Sequence, residues 1–230
     1  MKSIVFGGLD GVITTFSIVS AVAGAQLPIQ TALLMGFSNL IADAISMGLG
    51  DFLSSKAEHE YQVSESKREL WEFEHSRESE VDEQQTLFKE KGMSAEDAVA
   101  VSALLAKYPA IFHEVHLPAE LGFSVPESSD GSAMDGFVTF CSFIVFGSVP
   151  MWSYVITFYA GYRYSGGVFG IACAFTALTL FMLGVTQAVI TKQNRLKTGT
   201  LMMLNGGLAA AAAYLVGWGL EHAIGSGVEK

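Results

Sequence analysis

The sequence predicts an all-α membrane protein with five transmembrane helices and a helical, acidic, water-soluble segment between the second and the third. Half of the 230 residues are hydrophobic and only 16% are charged, whereas a soluble domain carries about 25% charged residues. The charges are also concentrated, since 17 of the 23 acidic residues lie between Glu58 and Asp130. The net charge of −10 therefore belongs mostly to one segment, and it argues against a nucleic-acid partner.

Five apolar stretches are long enough to cross a membrane, which takes about 20 mostly apolar residues. The first two are joined by a short uncharged turn, and the last three follow the acidic segment closely in sequence. We therefore expect an odd number of spans, with the two ends of the chain on opposite sides of the membrane. The five stretches are Ser3–Ala23, Ile29–Leu53, Gly136–Tyr159, Val168–Ile190 and Gly199–Gly219.

The basic residues indicate how the chain is oriented. With five spans, Lys2, Lys56 and the basic loop 192–197 fall on one side, whereas the other side has Arg163 and Lys230 near its helix ends. Basic residues are enriched on the cytoplasmic side of membrane proteins. The pattern predicts a cytosolic N-terminus, a cytosolic acidic segment and a C-terminus in a lumen or outside the cell.

The acidic segment is itself predicted to be helical. No proline or glycine occurs from Asp51 to Lys91, and good helix formers are frequent there. Ser94 is placed to cap a second helix that ends at Tyr108, and a shorter piece follows from Ile111 to Glu120. The predicted domains are residues 1–55 with the first two spans, 56–131 as a cytosolic metal-binding domain, and 132–230 with the last three spans.

Two carboxylates and a thioether stand out in the first two spans. Asp43 and Met47 are four residues apart and so share one face of the second span, and the first span carries Asp10 among glycines. An ionised carboxylate at membrane depth usually faces a water-filled path or a bound cation. Carboxylate oxygen together with methionine sulfur favours a transition-metal ion such as Fe²⁺ over Mg²⁺ or Ca²⁺.

Glutamates recur at helical spacing in the acidic segment. Neighbouring carboxylates at such spacing repel one another unless a positive charge lies between them. We therefore favour a metal-binding cluster over a merely solvated acidic face, with histidines near the end of the segment as further candidates. The clustered residues are Glu65, Glu69 and Glu72 in the first helix, Glu80 and Glu83 one or more turns later, and Glu120 with the nearby His113, Glu114 and His116.

Two other functions are compatible with these residues. Glu72 and His75 form a Glu-x-x-His unit, which di-iron oxidases use twice, and only one copy is present in the sequence. The single copy weighs against an oxidase, which is kept as one alternative. The other is a membrane scaffold whose acidic segment binds a basic partner.

Two sequence strings resemble the vacuolar iron transporter family. The first is GGLDGVITTF at Gly7–Phe16, and the second is ADAISMGLGDF at Ala42–Phe52. The resemblance extends over nearly the whole chain, because five spans and a glutamate-rich cytosolic segment after the second span are also features of that family. It implies a homodimer that exchanges cytosolic Fe²⁺, and in some members Mn²⁺, for lumenal protons through a pathway at the dimer interface.

The resemblance also implies roles for particular residues. Asp10 and Met47 match the family's metal-handling carboxylate and methionine. Where plant members have a Met-Met pair, this chain has His116-Leu117, so that an imidazole replaces a thioether as the implied ligand. We expect a secondary-active transporter of a vacuolar or other endomembrane, not an enzyme, with no prosthetic group and with Fe²⁺, Mn²⁺ or Zn²⁺ as the bound ion. The glutamates that match the family's cytosolic metal-binding domain are Glu69, Glu72, Glu80, Glu83 and Glu120.

Overall fold

The computed structural model describes residues 2–126, 130–160 and 165–228, and the secondary structure in this part of the chain is helical throughout. Arg163 and Lys230, on which part of the orientation rests, lie outside the described residues. The fold confirms the predicted all-α class. The helices are α1 (Lys2–Gly24), α2 (Ile29–His75), α3 (Arg77–Glu90), α4 (Ala95–Leu105), α5 (Pro109–Glu120), α6 (Ser132–Gly147), α7 (Val149–Tyr159), α8 (Ser165–Ile190) and α9 (Arg195–Val228).

Within the described part of the chain, four helices are long and apolar enough to cross a membrane, namely α1, α2, α8 and α9. The pair α6 and α7 supplies a fifth span if it is counted as one, although the two helices are bent by 45°. The sequence predicted one continuous helix there. Pro150 lies in the first turn of α7, where its missing N–H and fixed φ are tolerated, whereas inside a continuous helix its ring would clash with the preceding turn.

By packing, the chain divides into two compact units, one formed by Met1–Leu53 with Ala133–Lys230 and the other by Ser54–Ser132. In the first unit α1 packs against α7, α8 and α9 around a core that includes Phe16, Val19 and Met151. Small residues bring backbones close together: a Cβ on Gly11 would lie 2.6 Å from the carbonyl oxygen of Phe143 on α6. Such close packing drives helix association in lipid, where apolar burial contributes little.

The second unit is formed by the end of α2 with α3, α4 and α5. α2 ends at His75 and α3 begins at Arg77, although the sequence has no proline or glycine at this point. A tertiary contact holds the start of α3: Arg77 donates a 2.7 Å hydrogen bond to the carbonyl oxygen of Ala106. Its guanidinium also lies 4.7 Å from the centre of the Phe73 ring, four residues earlier. Phe73 in turn packs on the buried Phe112 of α5, with 4.5 Å between ring centres.

The helix boundaries in this unit mostly follow the sequence. The Ser94 side chain accepts a 3.1 Å hydrogen bond from the backbone N–H of Asp97, which confirms the predicted N-cap of α4. α4 ends at Leu105, earlier than the predicted Tyr108. Tyr108 instead precedes α5, which starts at Pro109 because proline is well suited to the first helical position.

Candidate metal centre

Five side chains from three helices converge in the second unit, and we refer to them as the carboxylate–histidine cluster. Glu69 and Glu72 are three residues apart on α2, and His116 and Glu120 are four apart on α5. Residues at these spacings lie on the same face of a helix. The cluster contains two overlapping groups whose ligand atoms lie within 4.8 Å of one another. One group is Glu69, His116 and Glu120, and the other is Glu69, Glu72 and Glu80.

The imidazole of His116 lies at the centre of this arrangement. Its Nε2 atom is 3.1 Å from Glu120 Oε2, 3.3 Å from Glu80 Oε2 and 3.7 Å from Glu69 Oε2. Ligand atoms held about 2.1 Å from one metal ion are separated from each other by about 3.0–3.5 Å. The distances from Nε2 to Glu120 and Glu80 fall in this range and that to Glu69 is slightly longer, so a small movement of Glu69 would let Glu69, His116 and Glu120 bind one divalent ion.

Burial makes these groups costly without a cation. The side chains of Glu69 and His116 are 1% and 2% exposed. Glu69 Oε2, Glu120 Oε2 and His116 Nε2 are buried without a hydrogen-bond partner among the described residues when the acids are ionised. An unsatisfied buried polar group costs about 1–3 kcal/mol, and more when it is charged. A bound metal ion would satisfy all three atoms, whereas a proton shared between Glu69 and Glu120 would satisfy the two oxygens and not His116 Nε2.

The acid–base properties of the cluster follow from its burial. Burial, and then repulsion from Glu69, raises the pKa of Glu80 to about 7. Burial and a hydrogen bond with Glu69 raise the pKa of Glu120 to about 7 as well. Burial lowers the pKa of His116, so that its ring is neutral near pH 7 and keeps a lone pair for a metal. Metal binding at neutral pH therefore displaces protons from the carboxyl groups.

A cation outside the predicted set offsets part of the negative charge. The guanidinium of Arg68 lies 2.8 Å from Glu65, 3.0 Å from Glu69 and 3.6 Å from Glu72. It thus pairs with the carboxylates on the α2 side of the cluster, whereas Glu80 and Glu120 lie next to the imidazole of His116. The sequence carries a signal for this arrangement, because Arg68 is three residues after Glu65 and four before Glu72.

The remaining candidates of the second unit lie outside the two groups. Glu83 is exposed on α3, yet its charge contributes to the raised pKa of Glu80. His113 is buried and bonds to the hydroxyl of Ser66 at 2.8 Å, and Glu114 is exposed. His75 is exposed and stacks on Trp71, 4.3 Å between ring centres, so the structure does not bring it together with Glu72 in a metal-ligating group.

The carboxylates of the transmembrane unit form a smaller arrangement. Asp10 and Asp43 are close enough for their charges to repel each other, and both are half-buried. Asn39 donates a 2.5 Å hydrogen bond to Asp43 Oδ2 from one turn earlier in α2. Met47 packs against the apolar cluster that contains Phe143. Asp43 and Met47 lie four residues apart on α2, and Met47 takes part in helix packing.

Comparisons with known proteins agree with this architecture. A family model described as the VIT family matches residues 1–218. A vacuolar iron transporter of Toxoplasma gondii is 36% identical over 230 residues, covering 98% of this chain and 76% of that protein. One of Plasmodium falciparum is 34% identical over 227 residues, covering 97% and 83%.

A plant relative extends the comparison. Vacuolar iron transporter 1 of Arabidopsis thaliana is 25% identical over 222 residues, covering 96% of this chain and 86% of that protein. All three relatives are named as transporters, in agreement with the predicted transporter class. The match of the family model over nearly the whole length confirms the resemblance seen in the two sequence strings. The chain is therefore an integral membrane protein that belongs to the VIT family.

Proposed function

We propose that the protein moves Fe²⁺ from the cytosol into a vacuole or another acidic compartment in exchange for protons, acting as a homodimer. The observation that carries this proposal is the carboxylate–histidine cluster, in which the ligand atoms of the largely buried Glu69, His116 and Glu120 lie within 4.8 Å of one another. The names of the family relatives support iron as the cargo. Mn²⁺ is a second cargo that the same oxygen-rich ligand set would accept.

In this proposal the two units have separate roles. The carboxylate–histidine cluster captures metal ions from the cytosol, in line with the positive-inside orientation derived from Lys2 and Lys56. Asp10, Asp43 and Met47 then pass a partly dehydrated ion through the membrane. Protons arriving from the acidic side neutralise Asp10 or Asp43, which weakens metal binding there and couples the two fluxes.

The proposal is tested by iron uptake into proteoliposomes that contain the purified full-length protein. With an acidic interior and Fe²⁺ outside, we expect uptake that collapses when an ionophore removes the pH gradient. Asp10→Asn should abolish this uptake. Asp135→Asn is the matched control, since Asp135 also precedes a glycine near the start of a span but is exposed.

Two outcomes would contradict this mechanism. Undiminished uptake by Asp10→Asn would show that the carboxylate has no part in the pathway. Ferrous-iron-dependent oxygen consumption that disappears in His75→Ala would instead favour the oxidase. Competition of Mn²⁺ with Fe²⁺ uptake in the same vesicles measures the preference between the two cargo ions.

A further inference from the structure

Gln84 is a fully buried polar residue that the metal cluster does not itself use as a ligand. It lies on α3, one turn after Glu80, and its Oε1 atom is 2.7 Å from His116 Nδ1 on α5. Its own Nε2 atom is buried without a hydrogen-bond partner among the described residues. Burying Gln84 is therefore costly because its Nε2 lacks a partner, and the contact of its Oε1 with His116 offsets part of that cost.

This contact determines where the proton of the imidazole lies. An amide oxygen only accepts hydrogen bonds, so Nδ1 of His116 must carry the hydrogen and donate it to Gln84. The neutral ring then has its lone pair on Nε2. That atom faces the carboxylate oxygens of Glu69, Glu80 and Glu120 at 3.1–3.7 Å. The Nε2 lone pair is therefore available next to these oxygens, and Nε2 forms one compact ligand group with Glu69 and Glu120.

We propose that Gln84 is a positioning residue: it fixes His116 in the tautomer protonated at Nδ1 and thereby makes Nε2 a metal ligand. This inference rests on the proposed function in one respect, namely that the ion bound by the cluster is the ion that is transported. Histidine ligands usually donate their second N–H to an oxygen acceptor, and removal of that acceptor weakens metal binding about 10–100-fold. An imidazole ligand also favours Fe²⁺, Co²⁺ and Zn²⁺ over ions that prefer oxygen alone.

Calorimetry on the full-length protein in detergent tests the role of Gln84, with Co²⁺ as an air-stable divalent probe. Gln84→Leu keeps the side-chain volume but removes the acceptor, and we expect Co²⁺ affinity to fall about 10–100-fold. Gln84→Glu retains an acceptor and should restore most of the affinity. Gln85→Leu is the matched control, because the neighbouring Gln85 bonds to Asp82 outside the cluster.

Replacing the ligand His116 itself distinguishes a positioning role of Gln84 from a general effect on the structure. In a His116→Met background the thioether has no tautomer, so adding Gln84→Leu should cost little further affinity. Mn²⁺, which prefers oxygen ligands, should lose less affinity than Co²⁺ when Gln84 is replaced. A loss that is equal for both ions and persists in the His116→Met background would overturn the proposal.

The tautomer can also be read directly in the wild-type protein. Nitrogen NMR of histidine-labelled protein, with the His116 signal assigned by its absence in His116→Met, should show the hydrogen on Nδ1. A hydrogen on Nε2 would overturn the proposal even if the Gln84 variants fail to fold. Co²⁺ binding without iron uptake would contradict the proposed function and leave the role of Gln84 intact, so the two failures are distinguishable.

Discussion

The hydroxyl of Thr139 on α6 donates a 2.5 Å hydrogen bond to Asp51 Oδ2 on α2. Thr139 is fully buried, and Asp51 continues the helical stripe that begins with Asn39 and Asp43. The bond thus satisfies a carboxylate of the transmembrane unit and links two of its helices.

Thr139→Val should therefore destabilise the protein. Valine preserves the shape but leaves Asp51 without this donor, and interhelical hydrogen bonds in membranes contribute about 0.6–2 kcal/mol. Unfolding in mixed micelles with increasing denaturing detergent measures the loss. Thr179→Val is the control, because Thr179 is exposed and donates only within its own helix. Equal stability of the two variants would mean that the Thr139–Asp51 bond contributes nothing.

Metal affinity of the carboxylate–histidine cluster should fall as the pH drops below 7. The pKa values of Glu80 and Glu120 are raised to about 7, so both groups are largely protonated at pH 6 and must release protons to bind metal. Each displaced proton costs up to about tenfold in affinity per pH unit. Calorimetry in buffers of different ionisation enthalpy counts these protons. An affinity that is constant from pH 5.5 to 7.5 would contradict the raised pKa values.

The same shift predicts how the metal-free protein responds to Glu80→Gln. A carboxyl group whose pKa is higher in the folded than in the unfolded state binds more protons when folded, so its contribution to stability falls as pH rises from 4.5 to about 7. The stability of Glu80→Gln relative to wild type should therefore increase over this window. The lowered pKa values of His113 and His116 act in the opposite direction. Comparing the two proteins by thermal unfolding largely cancels their contribution, and a difference that does not change with pH would contradict the prediction.

Arg68→Gln should move the pH dependence of metal binding upward. The guanidinium lowers the pKa of Glu80, so its loss makes the carboxyl group harder to ionise. We expect the midpoint of metal binding to shift to higher pH and the metal-free protein to be less stable. Lys67→Gln removes a charge from the neighbouring exposed position and serves as the control. Identical midpoints for the two variants would show that Arg68 acts only as a general surface charge.

Gly11→Ala should disrupt the packing of α1 against α6. The added Cβ would lie 2.6 Å from the carbonyl oxygen of Phe143, and a backbone atom cannot move away without shifting a helix. We expect loss of the monodisperse peak in detergent gel filtration and loss of iron uptake. Gly207→Ala is the matched control, since a Cβ at that position meets no atom within 4 Å. Normal behaviour of Gly11→Ala would contradict the close approach of the two helices.

Much of the fold could be predicted from local sequence. Runs of apolar residues identified the spans, since their length is set by the membrane, and Ser94 marked a helix start through a contact three residues away. The position of the break after His75 could not be predicted, because the hydrogen bond of Arg77 to Ala106 joins residues 29 apart, which only the folded chain brings together. Pro150 was visible in the sequence, but its effect on the third span was not anticipated.

The candidate site also has parts that could be predicted from the sequence and parts that could not. Glu69 and Glu72 could be predicted as neighbours because helical spacing alone brings them together. That His116 lies among carboxylates from α2 and α3 was inferred from the family resemblance and from proximity in sequence, and the packing of α5 now accounts for it. Gln84 was missed since a glutamine in an acidic helix looks like an ordinary surface residue, and only its distance to His116 reveals its position.

The length of α9 has a consequence for the surrounding bilayer. Its 34 residues extend for about 51 Å at 1.5 Å per residue, whereas the hydrocarbon core of a membrane is about 30 Å thick. The helix must therefore tilt or project into water at its ends, where Arg195 and Lys197 precede the apolar stretch and Glu221 follows it. Lys197 and Glu221 are about 36 Å apart along the helix, so a thinner bilayer requires a larger helix tilt if both charged ends are to stay outside the hydrocarbon core.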